Sequence, residues 1–497
     1  MKIINLTELL RTARLIGDGE TEITDVQTDS RKVKPGDLFI CLPGHTVDGH
    51  DYAAAAASRG AAAFVVEREL EGLGDAPQII VKDSRHAMAV LADAFFRHPS
   101  QSVKTIGVTG TNGKTTTTYL IERMLSDHGH STGVIGTIEM RYAGRTFPMS
   151  GTTPEALELQ RSLADMKEAG VSYCAMEVSS HALEQGRVKG TRFRTAVFTN
   201  LTQDHLDYHK TMESYAAAKG LLFSRLGNSY AASEQERSYA VLNADDEASA
   251  LFAKLTAAEV ITYGIDHEAD LRASDIRITA KGTSFHVHTY LGDIDITLQM
   301  VGKFNVYNAL GAMAAALIEG LTLEQVKASL EAIAGVPGRV ESVNAGQDFA
   351  VIVDYAHTPD GLENVLAAVS EFAPERILCV FGCGGDRDRT KRPIMAQIAA
   401  KYSDYIFVTS DNPRTEDPAL ILKDVEAGLI ELGIPSSSYE CLVDRRQAIQ
   451  KAVEMASSGD VVLIAGKGHE TYQIIGKVTH DFDDRLVAEE AIRGLRT

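Results

Sequence analysis

The sequence predicts an α/β protein of three domains, with a central nucleotide-binding domain built on a mostly parallel sheet and a Rossmann-like C-terminal domain. Three observations carry this. At 497 residues the chain exceeds what one hydrophobic core ordinarily organises. Residues 106–118 read IGVTGTNGKTTTT, an apolar run that enters a glycine-rich turn with Lys114 and Thr115 at its exit and a helical pattern beyond. Further on, Gly335-Val336-Pro337-Gly338 interrupts one strand-helix series, and a second begins after it.

Taken in order, the first domain spans 1–99. It is predicted to hold a helix over 6–15, a strand over 37–42, an alanine-rich helix over 52–59 stopped by Gly60, and a strand over 61–66. The second spans 100–335, with strands at 105–109, 173–178, 195–199 and 239–242 separated by helical patterns, as crossover connections require. Residues 275–290 and 293–301 alternate polar and apolar with no helix between, which predicts an antiparallel appendage. The third spans 336–497, with strands at 350–354, 376–381, 405–409 and 461–465. Each of these strands ends in a loop rich in Gly, Asp, Asn or His, and open α/β sheets bind ligands beyond the carboxyl ends of their strands.

Composition narrows the function. Hydrophobic residues at 44% and charged residues at 24% fit a globular protein rather than a disordered one. The 49 Lys and Arg against 68 Asp and Glu leave a net charge of −19, the wrong sign for life on nucleic acid. A local cluster, Arg387, Arg389, Lys391 and Arg392, can still focus positive potential for a small anion, or form a solvated charged loop. Five cysteines without a Cys-x-x-Cys pair fit reduced thiols. The first twenty residues place their apolar side chains at helical spacing interrupted by charge, unlike a signal peptide, and no run approaches the roughly 20 apolar residues of a membrane span. A cytoplasmic protein with no membrane partner is expected.

The turn at 110–116 is a phosphate loop in all but its first position, where Val108 replaces glycine. Gly110 and Gly113 let the amides of Thr111, Asn112 and Thr116 approach phosphates, Lys114 supplies a point charge, and the Thr115 hydroxyl can hold Mg²⁺. Mg²⁺ prefers oxygen ligands, which makes Glu177, at a strand end, a partner for Thr115. His205 is a candidate for a second ion. A zinc pair of His205 with His209, at i and i+4, competes with that reading.

The segments GTNGKTT, MEVSSHAL, NLTQDHLDYH, YAAAKGLLF, GKFNVYN, GVPGRVE, VDYAHTPDGL, GCGGDRDRTKR, DNPR and AGKGHE occur in this chain in the order seen in the Mur ligases. The resemblance covers all three domains and is strongest to the branch of the family that adds diaminopimelate. It implies an ATP-dependent amide ligase of peptidoglycan precursor synthesis acting through an acyl phosphate. The domains then take up, in order, a UDP-muramoyl dipeptide, ATP and the amino acid, and the chain acts as a monomer. At Lys219 the family carries a carbamylated lysine, whose anionic oxygens would suit a metal where an ammonium would repel one. Thr115, Glu177, His205 and Lys219 are thus the implied metal ligands, and Lys114, Lys219 and His205 the catalytic set.

The resemblance further implies ATP contacts from Asn305, Arg339, Asp354 and His357, although a strand-end Asp or a helical Asn also serves simply as a cap. It points to Ser30, His45, Thr46, Val47, Thr152, Thr153, Ser179, Gln185 and Arg187 for the UDP-linked dipeptide. Hydroxyls, an amide and one Arg suit its diphosphate and carboxylates. For the amino acid it points to Arg387, Asp411, Asn412, Pro413, Arg414, Gly466 and Glu470. Diaminopimelate bears an ammonium and a carboxylate at its far end, so its pocket needs an acid and a cation, and Arg forks onto carboxylate as Lys does not. The lysine-adding branch, a folate polyglutamate ligase and a nucleotide-gated switch without ligation are the rival readings.

Overall fold

The computed structural model describes residues 1–44, 47–149, 151–228, 233, 236–279 and 282–495. Three sheets follow one another along the chain, of five, eleven and six strands, with a separate two-stranded hairpin near the end.

In the first sheet, strands Asp25–Gln27, Asp37–Ile40, Ala63–Val66 and Gln78–Ile80 run parallel, and Arg14–Ile16 closes the edge antiparallel to Gln78–Ile80. This corrects the helix expected over 6–15. The only helix there is Ile3–Thr7, which buries Ile3 and Leu6, and the apolar residues beyond it are taken up as an edge strand. Sheet pairing overrode the local helical spacing.

The central sheet is built around strand Lys104–Thr109, which lies between Phe193–Phe198 and Tyr173–Glu177, both parallel to it. These strands are buried almost throughout, because helices cover both faces. Helices Lys114–Asp127 and Lys303–Ile318 supply Leu120, Ile121, Met124, Ala309, Leu310 and Met313 to one core. Helices Ala156–Glu168 and Met212–Ser224 supply Leu159, Leu163, Leu222 and Phe223 to the other. Val108 pairs with Glu177 on one side and Val197 on the other and is fully buried, so the position that departs from the phosphate-loop pattern is still strand. The antiparallel appendage is present as strands Leu271–Thr279, Gly282–Thr289 and Gly292–Leu298, continuous with the central sheet.

In the third sheet, strands Ala350–Asp354, Val461–Ala465, Ile377–Cys383, Tyr405–Ser410 and Tyr439–Leu442 are parallel neighbours in that order. Two of their C-terminal ends are clamped from below. Arg445 and Asp484, both fully buried, pair through two bonds of 2.8 and 2.7 Å, and Arg445 also donates to the carbonyls of Ala465 and Ser410. Removing one partner of such a pair strands a buried charge at a cost of about 3–5 kcal/mol. Asp484→Ala is therefore expected to lower the urea midpoint of unfolding markedly, and an unchanged midpoint would contradict the clamp.

Candidate active site

The phosphate loop lies where strand Lys104–Thr109 leaves the middle of the central sheet and helix Lys114–Asp127 begins. Its glycines are required by space. Gly110 has φ 151° and Gly113 φ 82°, and a Cβ at either would collide with Thr199 Oγ1 or Asn308 Oδ1. Lys114 Nζ donates to the carbonyls of Gly110 and Thr111 at 3.0 and 2.8 Å, and Thr111 Oγ1 donates to the Thr202 carbonyl. The amide of Asn112 is held by Asn200 Oδ1, while its side chain reaches Asp360 of the third domain.

Lys219 is the decisive side chain beneath the loop. It lies on helix Met212–Ser224, is 1% exposed, and donates to the Gly110 carbonyl at 2.7 Å with its Nζ 4.3 Å from the Tyr215 ring centre. Lys114 and Lys219 thus converge on one oxygen. Burial first, and then the Lys114 charge, hold the Lys219 amine well below its ordinary range. A neutral amine is the form that can take up CO₂. The Glu177 carboxylate accepts from Thr137 N and Thr137 Oγ1 at 2.8 and 3.1 Å, which aims it while leaving acceptor capacity over.

His205 sits with φ 54° at the start of helix Leu206–His209, its ring edge-on to His181 with centres 4.7 Å apart. Burial, helped by His181, Lys114 and Lys219, pushes its imidazole down to about 4 against the opposing pull of Asp204. Burial thus favours the neutral ring, while Asp204 Oδ2, 3.3 Å from Nε2, favours the charged one. The competing zinc pair is not formed. His209 is buried with its ring nitrogens 2.9 Å from Ser180 Oγ and 3.1 Å from Glu184, and among the described residues neither His205 nor His209 belongs to a group of three or more converging metal-binding side chains.

Between the central and third domains lies a cleft of about 700 Å³ whose walls include His205, His357, Arg387, Asp411, Asn412, Arg414, Gly466 and Glu470. Arg339 reaches across, its Nη2 donating to Thr115 Oγ1 at 3.1 Å while its guanidinium lies 4.7 Å from the Tyr355 ring centre. On the far wall Asn412 Nδ2 donates to Glu470 Oε2 at 2.8 Å, and Gly466 closes against Asp411, where a Cβ would press on Oδ2. Arg414, in the left-handed region at φ 50°, is tied by its backbone to Ile474 and Gly476 of the terminal hairpin. Its Nη1 donates to the Gly385 carbonyl at 3.0 Å, and no described residue engages its Nε or Nη2. Pro413 does not line the cleft; its carbonyl lies where a Cβ on Gly385 would collide.

Two expected ATP contacts, Asn305 and Asp354, are engaged by neighbouring groups. Asn305 is buried and bonds the Val301 carbonyl and Asn308, so Asn308 is the residue that reaches Gly113. Asp354 accepts from the amides of Val340 and Ala356, both at 2.7 Å, and shapes the strand-end turn that carries Arg339 and Tyr355. The basic cluster divides as well. Arg387 and Lys391 line the cleft, whereas Arg392 is fully buried between Glu416 and Asp424, and Arg389 pairs with Asp424.

Thr152, Thr153, Ser179, Gln185 and Arg187 form a second group beside Glu177. Thr153 Oγ1 donates to the Glu177 carbonyl, Thr152 Oγ1 lies 3.1 Å from Thr137 Oγ1, and Arg187 bonds both Gln185 Oε1 and the Thr153 carbonyl. Ser179 caps helix Ser180–Glu184. Ser30 and Val47 lie on loops of the first domain, and among the described residues neither bonds to this group. The sheet of the first domain is joined to the central domain by Arg161, which bonds Asp25 and the Val26 carbonyl. His45 and Thr46 lie outside the described residues.

Three family descriptions match consecutive parts of the chain: Mur ligase family, catalytic domain, over 22–96; Mur ligase middle domain over 108–316; and Mur ligase, glutamate ligase domain, over 338–468. The UDP-N-acetylmuramoyl-L-alanyl-D-glutamate--2,6-diaminopimelate ligase of Bacillus cereus is 52% identical over 494 residues, 99% of each chain. This chain belongs to the Mur ligase family. The enzyme of the same name from Halalkalibacterium halodurans is 51% identical, again over 99% of both chains. A solved structure of a ligase of that name covers 100% of this Mur ligase and 99% of its own chain, at 34% identity and a TM-score of 0.70. The MurF ligase of Thermotoga maritima in complex with ADP has a TM-score of 0.65 over 96% of this chain and 97% of its own, and at 18% identity shares the fold.

Several residues of this Mur ligase that face the site escape a reading of motifs alone. Lys467 is fully buried and bridges Asn412 Oδ1 and Glu470 Oε2 at 3.2 and 2.8 Å. Asp360, His181, Asp204, Tyr355 and Asp386 line the cleft. Lys467 and Asp360 fall inside AGKGHE and VDYAHTPDGL, so their segments carried the signal although their roles needed the fold. Among the described residues no helix is long and apolar enough to cross a membrane.

Proposed function

We propose that this chain is the ATP-dependent ligase that joins meso-2,6-diaminopimelate to UDP-N-acetylmuramoyl-L-alanyl-D-glutamate in peptidoglycan precursor synthesis. The observation that carries the proposal is the cleft, which sets the third-domain group Arg387, Asp411, Asn412, Arg414 and Glu470 opposite the phosphate-loop domain. Residues 1–99 hold the UDP moiety through Ser30, His45, Thr46 and Val47, 100–335 hold ATP and the dipeptide end, and 336–497 hold the incoming amino acid. The protein works as a cytoplasmic monomer.

The γ-phosphoryl group of ATP passes to the D-glutamate γ-carboxylate, giving an acyl phosphate and ADP. The neutral amine of diaminopimelate attacks its carbonyl carbon, a tetrahedral intermediate forms, the nitrogen gives up a proton to solvent, and the C–O bond breaks to release phosphate and leave the amide. Lys114 turns from its loop carbonyls towards the phosphate oxygens, and the amides of Gly110, Gly113 and Thr116 line their path, while those of Thr111 and Asn112 are held by Asn200 and brace the loop. Mg²⁺, where bound, would neutralise phosphate charge, and Thr115, Glu177, His205 and a carbamylated Lys219 form a hard, oxygen-rich donor set suited to it. Arg339 leaves Thr115 Oγ1 when that hydroxyl is needed. Thr152, Thr153, Ser179, Gln185 and Arg187 orient the dipeptide carboxylate next to the loop. Three reactants held between domains gain from proximity what each alone lacks.

Phosphate release should require ATP, dipeptide and diaminopimelate together. Release with neither acceptor would instead identify a nucleotide switch, and equal use of lysine would move the chain to the lysine-adding branch. Lys114→Ala should lower ligation by on the order of 10²–10³-fold with the fold intact by circular dichroism. Substantial turnover in the folded variant would remove Lys114 from this role.

A further inference from the structure

Among the polar side chains on the outer face of the appended hairpin are two histidines and two aspartates for which ligation has no use. Along Gly282–Thr289 and Gly292–Leu298, Phe285, Val287 and Ile296 enter the core and Ile294 packs against it, so His286, His288, Asp293 and Asp295 occupy the opposite face. Cross-strand register sets His286 opposite Asp295 and His288 opposite Asp293.

Their atoms are arranged in an order that simple ion pairing does not need. Asp295 Oδ1 lies 2.7 Å from His286 Nδ1, which leaves His286 Nε2 facing Asp293 Oδ2 at 3.9 Å. His288 Nδ1 lies 3.2 Å from the other oxygen of Asp293, and the two imidazole centres are 4.6 Å apart. One ligand atom each from His286, His288 and Asp293 falls within 4.8 Å of the others. Ligands about 2.0–2.1 Å from a tetrahedral metal stand roughly 3.4 Å apart, so small side-chain rotations of these surface groups close the set.

We propose that His286, His288 and Asp293 form a binding site for a divalent transition metal of the zinc class, with Asp295 orienting His286 and water completing the shell. Two imidazoles and one carboxylate favour such an ion over Mg²⁺, which prefers oxygen donors in octahedral array. A carboxylate on the far nitrogen of a metal-binding histidine is the usual device for fixing its tautomer and direction. The ion would tie the edge strand Gly292–Leu298 to its neighbour at the end of the eleven-stranded sheet.

Calorimetric titration of the full chain with Zn²⁺, in excess Mg²⁺, tests the site, and the absorption spectrum of Co²⁺ on the same protein reports its ligands. The wild type should bind one equivalent more than the double variant His286→Ala/His288→Ala, with a Co²⁺ spectrum free of thiolate bands. Asp295→Ala should weaken that equivalent about 10–100-fold. Circular dichroism confirms that each surface variant is folded. Equal stoichiometry and affinity in wild type and double variant, or no uptake by either, overturns the site; an unchanged affinity in Asp295→Ala overturns the orienting role.

Discussion

Lys219→Ala is expected to lose ligation by on the order of 10²–10³-fold and to regain part of it when formate or acetate is supplied in solution. The expectation rests on where the amine lies. It is buried, it bonds the same Gly110 carbonyl as Lys114, and burial together with Lys114 favours its neutral form. Under the proposed mechanism, two adjacent ammonium groups beneath the phosphate loop would repel the Mg²⁺ that phosphoryl transfer uses. The neutral amine can attack CO₂, lose a proton and become a carbamate, which reverses the sign of the charge at that point. A small carboxylate entering the space left by alanine replaces the oxygens without the chain. Lys219→Arg separates this from a purely structural role, since it keeps a cation but cannot be carbamylated. If Lys219→Arg stays active, or Lys219→Ala keeps wild-type rates without added carboxylate, the carbamate assignment fails.

The parallel strands were legible in the sequence because their residues are buried on both faces and read as short apolar runs ending in glycine or polar turns. Ala350–Asp354 and Val461–Ala465 were read to the residue. The N-terminal helix was misread for the opposite reason. Arg14–Ile16 is a sheet edge of three residues, and so short a strand has no periodicity of its own to set against helical spacing. At the site, the loops were legible and the side-chain directions were not. Asn305 and Asn308 are one helical turn apart in GKFNVYN, and only the helix rotation decides that Asn308 meets Gly113. Arg387, Arg389, Lys391 and Arg392 read as one basic patch, yet Glu416 and Asp424, more than twenty residues on, neutralise the last of them. Contacts of that sequence separation leave no local mark.

Arg414→Ala should lower the diaminopimelate-to-lysine ratio of kcat/KM by roughly 10- to 150-fold, chiefly by harming diaminopimelate. The magnitude follows from one charge-assisted pair of about 1.5–3 kcal/mol. Arg414 is held in a left-handed conformation by the terminal hairpin, with one guanidinium nitrogen on the Gly385 carbonyl, and it lines the same cleft as Arg387. A residue fixed in this way loses little freedom on gripping a carboxylate. Lysine has the side-chain amine but not the second carboxylate, so it leaves the guanidinium desolvated and unmatched, and a site built around a polar group rejects the analogue that lacks it. Under the proposed function Asp411 and Glu470 would meet the far ammonium, and Lys467 and Asn412 hold Glu470 in place through Oε2. If Arg414 served only the turn, its loss would reduce both amino acids equally, because the strand-end loop as a whole would shift. Steady-state rates for both substrates on one folded, purified variant therefore decide the matter: a fallen ratio places the second carboxylate on Arg414, and an unchanged ratio removes it.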